Sequence, residues 1–183
     1  MLPRHFSTQT VAHLNVNYIR RLSLYTGSYF IVVDCLTVGD QAYPLKVPLI
    51  PAVFERILPL ATSRGIRVVC INRRDYPGST LCTTDELKVI YDRSDEERAA
   101  FLNARGVEIA LFLDSLIDVL GLPAPTEDGT NGGLELMGWS MGTMFVMCTA
   151  ASIPSFPPHV QTRLQLYVRR MILFGKLDWA SET

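Results

Sequence analysis

Two hydrophobic rhythms alternate along this chain. Short, nearly continuous apolar runs are separated by longer stretches in which apolar positions recur every three or four residues. Tyr29-Phe30-Ile31-Val32-Val33, Ile66 to Ile71, Leu134 to Met137 and Arg169 to Gly175 are the short runs. Rich in β-branched and aromatic residues, they have the pattern of strands buried on both faces. Leu14 to Ile19 alternates apolar and polar residues instead, as a half-buried strand does. The longer periodic stretches predict helices. One carries Val53, Phe54, Ile57, Leu58 and Leu60, runs to about Ser63 and is closed by Gly65. A second opens at the capping box Ser94-Asp95-Glu96-Glu97 and carries Leu102, Ile109, Phe112, Leu113, Leu116, Ile117 and Leu120. It stops at Gly121-Leu122-Pro123. A third covers Val160 to Tyr167. Thr80 to Arg93 is polar and mixed and reads as a loop with a helical turn around Asp85 to Val89. Residues 34–46 and 124–131 read as irregular, and residues 1–9 as frayed.

Strands alternating with amphipathic helices imply βαβ crossovers. The fold class expected is therefore α/β, a mostly parallel sheet with helices on both faces, in a single domain over residues 1–183. In such sheets ligands sit beyond the carboxyl ends of the strands. Ser140 and the loops after Val33, Ile71 and Phe174 all belong to that edge.

The segment from Gly132 to Ser152 holds the chemistry. The run Leu134 to Met137 leads into Gly138-Trp139-Ser140-Met141-Gly142, and a small-residue apolar segment follows. This is a G-x-S-x-G pattern in the context of strand, sharp turn and helix. The turn forces Ser140 into a strained backbone conformation, and the glycines on either side let strand and helix pass without a Cβ clash. The Met141 N–H and the positive end of the helix dipole then face the position where an oxyanion would form. Ser140 is thus the candidate nucleophile, with Met141 the candidate oxyanion donor. Met137, Met141, Met144 and Met147 cluster around it, as core packing between helix and sheet or as the lining of an acyl pocket.

Composition narrows the alternatives. With 183 residues, 48% hydrophobic and 19% charged, the chain is long and apolar enough to bury a core unaided. A formal net charge of −1 gives no electrostatic case for binding nucleic acid or an anionic membrane. Cys35, Cys70, Cys82 and Cys148 show neither a CxxC pair nor metal-ligand spacing, so no metal is expected. They read as reduced thiols in a reducing compartment, the cytoplasm. No apolar stretch approaches the length of a membrane span, and no secretory signal heads the chain. Arg4, Arg20 and Arg21 with no acid among them faintly resemble a mitochondrial presequence; a basic strand pair accounts for them as well. The pairs Arg73-Arg74 and Arg169-Arg170 flank strands and are expected to snorkel to the surface.

Gly138-Trp139-Ser140-Met141-Gly142 matches the nucleophile elbow of the α/β-hydrolase family. The element order around it resembles strands three to six of that fold. Asn72-Arg73-Arg74-Asp75-Tyr76-Pro77-Gly78-Ser79 resembles the family segment D-x-R-G-x-G-x-S, with Arg74 and Ser79 matching and Asn72, Asp75 and Pro77 departing. The phrase Asn72 to Thr80, followed by this helix and elbow, is similar to a group of uncharacterised fungal α/β-hydrolase-like proteins. The resemblance spans about residues 28–178 and implies a serine hydrolase of esterase, lipase or peptidase type acting on a small-molecule ester or acyl substrate, with no cofactor.

The departures bear on activity. The third family strand usually runs into a His-Gly pair that completes the oxyanion hole; here Asp34-Cys35-Leu36-Thr37-Val38-Gly39 follows. Loss of one donor typically costs about 10²- to 10³-fold in rate. The family order of the triad is Ser, acid, His. After Ser140 the acids are Asp178 and Glu182, and the histidine is His159, which precedes both. Asp178 follows the sixth family strand and is the candidate acid, against the reading of a solvated terminal aspartate. His159, in Pro157-Pro158-His159, reads as a loop residue, and His5 and His13 are placed still less well. A serine hydroxyl without an adjacent base is a weak nucleophile. The expectation is a chain truncated after the sixth strand, with an incomplete triad and weak or absent activity. The open sheet edge so created would favour self-association. The rival expectation is a non-catalytic α/β-hydrolase-like domain that binds a small apolar ligand or a protein partner.

Overall fold

Pairing of the apolar runs builds one parallel sheet. A computed structural model of the protein describes residues 29–33, 58–64, 66–71, 74 and 80–175. Within them β1 (Tyr29–Val33), β2 (Arg67–Ile71), β3 (Leu134–Trp139) and β4 (Val168–Phe174) lie in the order β2-β1-β3-β4, all parallel. The register sets Val33 level with Ile71 on one side and with Gly138 on the other, and Gly138 level with Leu173. The carboxyl ends of all four strands therefore share one edge. The order reverses at β1, whose next strand lies on one side while β3 and β4 lie on the other.

Among the described residues five α-helices accompany the strands: α1 (Leu58–Ser63), α2 (Thr84–Asp92), α3 (Asp95–Leu120), α4 (Gly142–Ala151) and α5 (Pro158–Tyr167). The longest, α3, begins as its sequence requires. The Ser94 side chain accepts from the Glu97 N–H, and Glu97 accepts in return from the Ser94 N–H. It ends at Gly121, whose φ of 58° is the left-handed cap. Its Ile109, Phe112, Leu113, Leu116 and Ile117 are buried at the expected 3-4-7 spacing, against Leu134 and Leu136 of β3, Val146 of α4, and Val160 and Leu164 of α5. α3 and α4 approach closely at Gly106, where a Cβ would lie 2.4 Å from the Cys148 carbonyl oxygen.

Three expectations need correction. Residues 80–93 are not a loop with a single turn: α2 runs from Thr84 to Asp92 behind its own capping box, Thr83 to Glu86. The box is as clear in the sequence as the one at Ser94, and Leu87, Ile90 and Tyr91 recur at helical spacing, but α2 buries none of them. β4 is not a buried strand. It is a sheet edge, with Leu173 54% and Phe174 58% exposed. An apolar run demands a cover without saying which element supplies it, and among the described residues none lies beyond β4. Arg74, finally, does not snorkel; its side chain is nearly buried, as described below.

The strand expected over residues 14–19, the irregular segment 34–46, the first turns of the helix from Val53 and the whole N-terminal basic stretch lie outside the described residues. Among the described residues no helix is long and apolar enough to cross a membrane.

Candidate functional site

β3 delivers its chain to a turn that few residues can make. Ser140 has φ 54°, and among the described residues no other non-glycine position has a positive φ. Left-handed backbone costs an L-residue about 1–2 kcal/mol, so the surroundings must hold it there. Three contacts do so. The Ser140 N–H donates to the Phe174 carbonyl at 2.8 Å, which carries the β3–β4 ladder into the turn. The Ser140 carbonyl accepts from the Thr143 N–H at 3.0 Å and from the Thr143 hydroxyl at 2.6 Å. Both ends of the serine's backbone are thus anchored, while the residue itself is exposed at the carboxyl edge.

Two glycines make room for this geometry. A Cβ on Gly138 would lie 2.4 Å from the Gly142 carbonyl oxygen, so strand and helix pass closer than any side chain permits. A Cβ on Gly175, which has φ 129°, would lie 2.9 Å from the Ser140 nitrogen. The first glycine belongs to the motif. Gly175 and Thr143 were not singled out from the sequence, because their roles arise from β4 arriving alongside the turn and from one hydroxyl turning back to a carbonyl.

Met141 precedes the first residue of α4 in a helical conformation, φ −59° and ψ −22°. Among the described residues its N–H has no backbone acceptor, and it stands at the positive end of the α4 dipole. That is the environment an oxyanion donor requires. Of the methionines around it, Met137 is buried and Met147 is 44% exposed.

The proposed partners of Ser140 are not assembled around it. His159, the histidine among the described residues, is exposed in the first turn of α5 and makes no hydrogen bond to Ser140. Asp178 lies outside the described residues, as do His5, His13 and Cys35. Neither Cys82 nor Cys148 is in a disulfide, and burial pushes the Cys148 thiol up from its ordinary value. Among the described residues no three His, Cys, Asp or Glu side chains cluster as metal ligands would.

A second polar constellation lies beyond the carboxyl end of β2. Arg74 donates from Nε to both carboxylate oxygens of Glu108, at 2.9 and 3.2 Å, and meets Glu86 at 3.5 Å. Arg105 closes the ring, 3.4 Å from Glu86 and 3.3 Å from Glu108. Its guanidinium also stacks over Phe101, 5.0 Å from the ring centroid. Two cations and two anions, three of them almost fully buried, tie Arg74 to both α2 and α3. Burial opposes the charge on Glu86. The N–H and hydroxyl of Thr83 and the two guanidinium groups outweigh it and hold its carboxyl below the usual range. The arrangement balances its own charge, so it fixes structure around the sheet edge rather than offering a net charge to a ligand.

Comparison with models of known protein families and with curated proteins finds no match to this chain.

Proposed function

We propose that Ser140 is the nucleophile of a serine hydrolase of α/β-hydrolase type, acting on a small-molecule ester or acyl substrate. The observation that carries this reading is the backbone at Ser140: a left-handed, exposed serine between a parallel strand and a helix N-terminus. Strain of that kind persists only where surrounding contacts enforce it, and it concentrates at reactive positions. The strand order supports the family resemblance. With right-handed crossovers the reversal at β1 sets α1 on one face and α3, α4 and α5 on the other, as in a doubly wound sheet.

In this mechanism the Ser140 Oγ attacks the acyl carbonyl carbon while a general base takes the hydroxyl proton. The carbonyl oxygen becomes an oxyanion held by the Met141 N–H. Collapse expels the alcohol, which receives that proton, and water then hydrolyses the acyl-enzyme. Asp178 is the acid this reading would assign. His159 is exposed and not bonded to Ser140, so slow turnover is expected unless another base reaches the hydroxyl.

A second reading has its own support. The apolar cavity among α3, α4, α5 and β4 is lined by none of the elbow residues. This favours a domain that binds an apolar ligand, with Ser140 as a relic of the fold. A fluorophosphonate probe separates the two: it labels an activated Ser140 and leaves an unactivated one untouched.

A further inference from the structure

One peptide unit holds both an anchored atom of the elbow and its candidate oxyanion donor. The Ser140 carbonyl and the Met141 N–H belong to the same planar group, and in a trans peptide the two bonds point in opposite directions. Whatever fixes the carbonyl therefore aims the N–H. The Ser140 carbonyl accepts twice, from the Thr143 N–H at 3.0 Å and from the Thr143 hydroxyl at 2.6 Å. The second distance is near the short end of the range for a hydroxyl donor. Thr143 is 1% exposed, so its hydroxyl has no bulk water to turn to instead.

The two bonds do different things. A single donor lets the peptide plane swing about the hydrogen bond, whereas a second donor arriving from a side chain removes that freedom. The far end of the serine is tied separately, by its N–H to the Phe174 carbonyl at 2.8 Å. Donation to a carbonyl also polarises the amide it belongs to, which makes the N–H of that amide a stronger donor. Thr149 supplies the contrast. Six residues along the same helix and fully buried, its hydroxyl turns back to the Phe145 carbonyl at 2.8 Å. That peptide continues into Val146, within α4, so the same kind of bond there supports the helix and aims no N–H at the sheet edge.

We propose that Thr143 is a positioning residue: its hydroxyl holds the Ser140–Met141 peptide so that the Met141 N–H points to the place where the oxyanion forms. The proposal deepens the hydrolase reading, and its kinetic consequence rests on that reading. The orientation of the N–H does not.

The test takes two readouts on the full chain as wild type, Thr143→Val, Thr143→Ser and Thr149→Val. One is the residual dipolar coupling of the Met141 N–H, which reports the direction of that bond. The other is the rate at which Ser140 takes up a fluorophosphonate, its Oγ bonding to phosphorus as fluoride leaves and the hydroxyl proton passes to solvent. Thr143→Val moves the Met141 coupling away from its wild-type value and slows labelling about tenfold, part of what loss of a whole donor costs. Thr143→Ser, which keeps the hydroxyl, restores both. Thr149→Val loses a matching bond and lowers the urea midpoint similarly, yet leaves both readouts unchanged. Should Thr143→Val fail to fold, Thr143→Ala, with its higher helix propensity, takes its place. The proposal is overturned by a Met141 coupling unmoved in Thr143→Val, by labelling of that variant as fast as of Thr149→Val, or by failure of Thr143→Ser to restore them. A wild-type chain that takes no label defeats the hydrolase reading alone. The Met141 coupling then decides the role of Thr143, displaced in its favour and unmoved against it.

Discussion

Arg74 and Glu108 stand 34 residues apart in sequence, yet Arg74 Nε donates to both oxygens of the Glu108 carboxylate. Their side chains are only 11% and 10% exposed. Removing Glu108 leaves the buried guanidinium groups of Arg74 and Arg105 with only Glu86 between them. An uncompensated buried charge of this kind costs about 3–5 kcal/mol; replacing Arg74 and Glu108 together by apolar residues of similar size costs far less. Glu108→Ala is therefore expected to lower unfolding stability in urea by about 3 kcal/mol, and the double variant Arg74→Met, Glu108→Leu to recover most of it. Equal losses in the two would contradict the pairing.

Glu86 makes the attachment of α2 sensitive to acid. Burial raises its carboxyl, but Thr83, Arg74 and Arg105 together bring it below its ordinary 4.5. A carboxyl depressed in the folded state contributes stability above its unfolded value, and that contribution is lost as pH falls through the folded one. Because α2 buries no residue, its release need not unfold the rest. Carbon-detected NMR of the Glu86 carboxyl should give a midpoint below 4.5. Amide protection over Thr84 to Asp92 should fall in the same window, and Glu86→Gln should remove that step. A Glu86 midpoint at or above the ordinary value would contradict the network.

The same substitution at three glycines separates crowding from backbone strain. Gly138→Ala and Gly106→Ala would each press a Cβ to 2.4 Å from a carbonyl oxygen. Overpacking of this kind costs about 1–3 kcal/mol or more. Gly121→Ala meets open space and carries only the left-handed penalty, about 1 kcal/mol. Ser140→Gly acts in the opposite direction, relieving the strain at φ 54° and raising stability by about 1 kcal/mol. Denaturant midpoints in the order Ser140→Gly, wild type, Gly121→Ala, then the crowded pair would support the geometry; a destabilised Ser140→Gly would not.

The β4 edge is expected to drive self-association. Seven residues long and carrying Leu173 and Phe174 in the open, it lacks the proline or outward charge with which edges are usually blunted near its carboxyl end. Sedimentation velocity should find concentration-dependent oligomers that Leu173→Lys with Phe174→Lys disperses. A wild-type chain that stays monomeric across the range would count against an adhesive edge.

What was legible in the sequence was local. Ser94 to Glu97 announced the start of α3, Gly121 its end, and Gly138 to Gly142 the elbow, because each signal sits within one turn of the structure it specifies. Thr83 to Glu86 is an equally local box, followed by Leu87, Ile90 and Tyr91 at helical spacing. The many charged residues around them make the segment read as a loop, and in the structure that stripe stays exposed. The long-range relations were not legible. Arg74 reads as a surface cation until α3 brings Glu108 to it. Gly175 reads as the end of a strand until β4 sets it against the Ser140 nitrogen. Burial of β4 was misread for the same reason, since apolar character alone does not name a covering partner.

Whether Ser140 is activated is settled most directly by its reaction with a fluorophosphonate probe. The purified chain at neutral pH is incubated with the probe, and the adduct is mapped by mass spectrometry beside Ser140→Ala. A single adduct on Ser140 is expected, absent from Ser140→Ala and slow to form, because His159 is exposed on α5 and makes no hydrogen bond to Ser140. A folded chain that takes up no probe at Ser140, or labels equally after Ser140→Ala, would contradict that expectation.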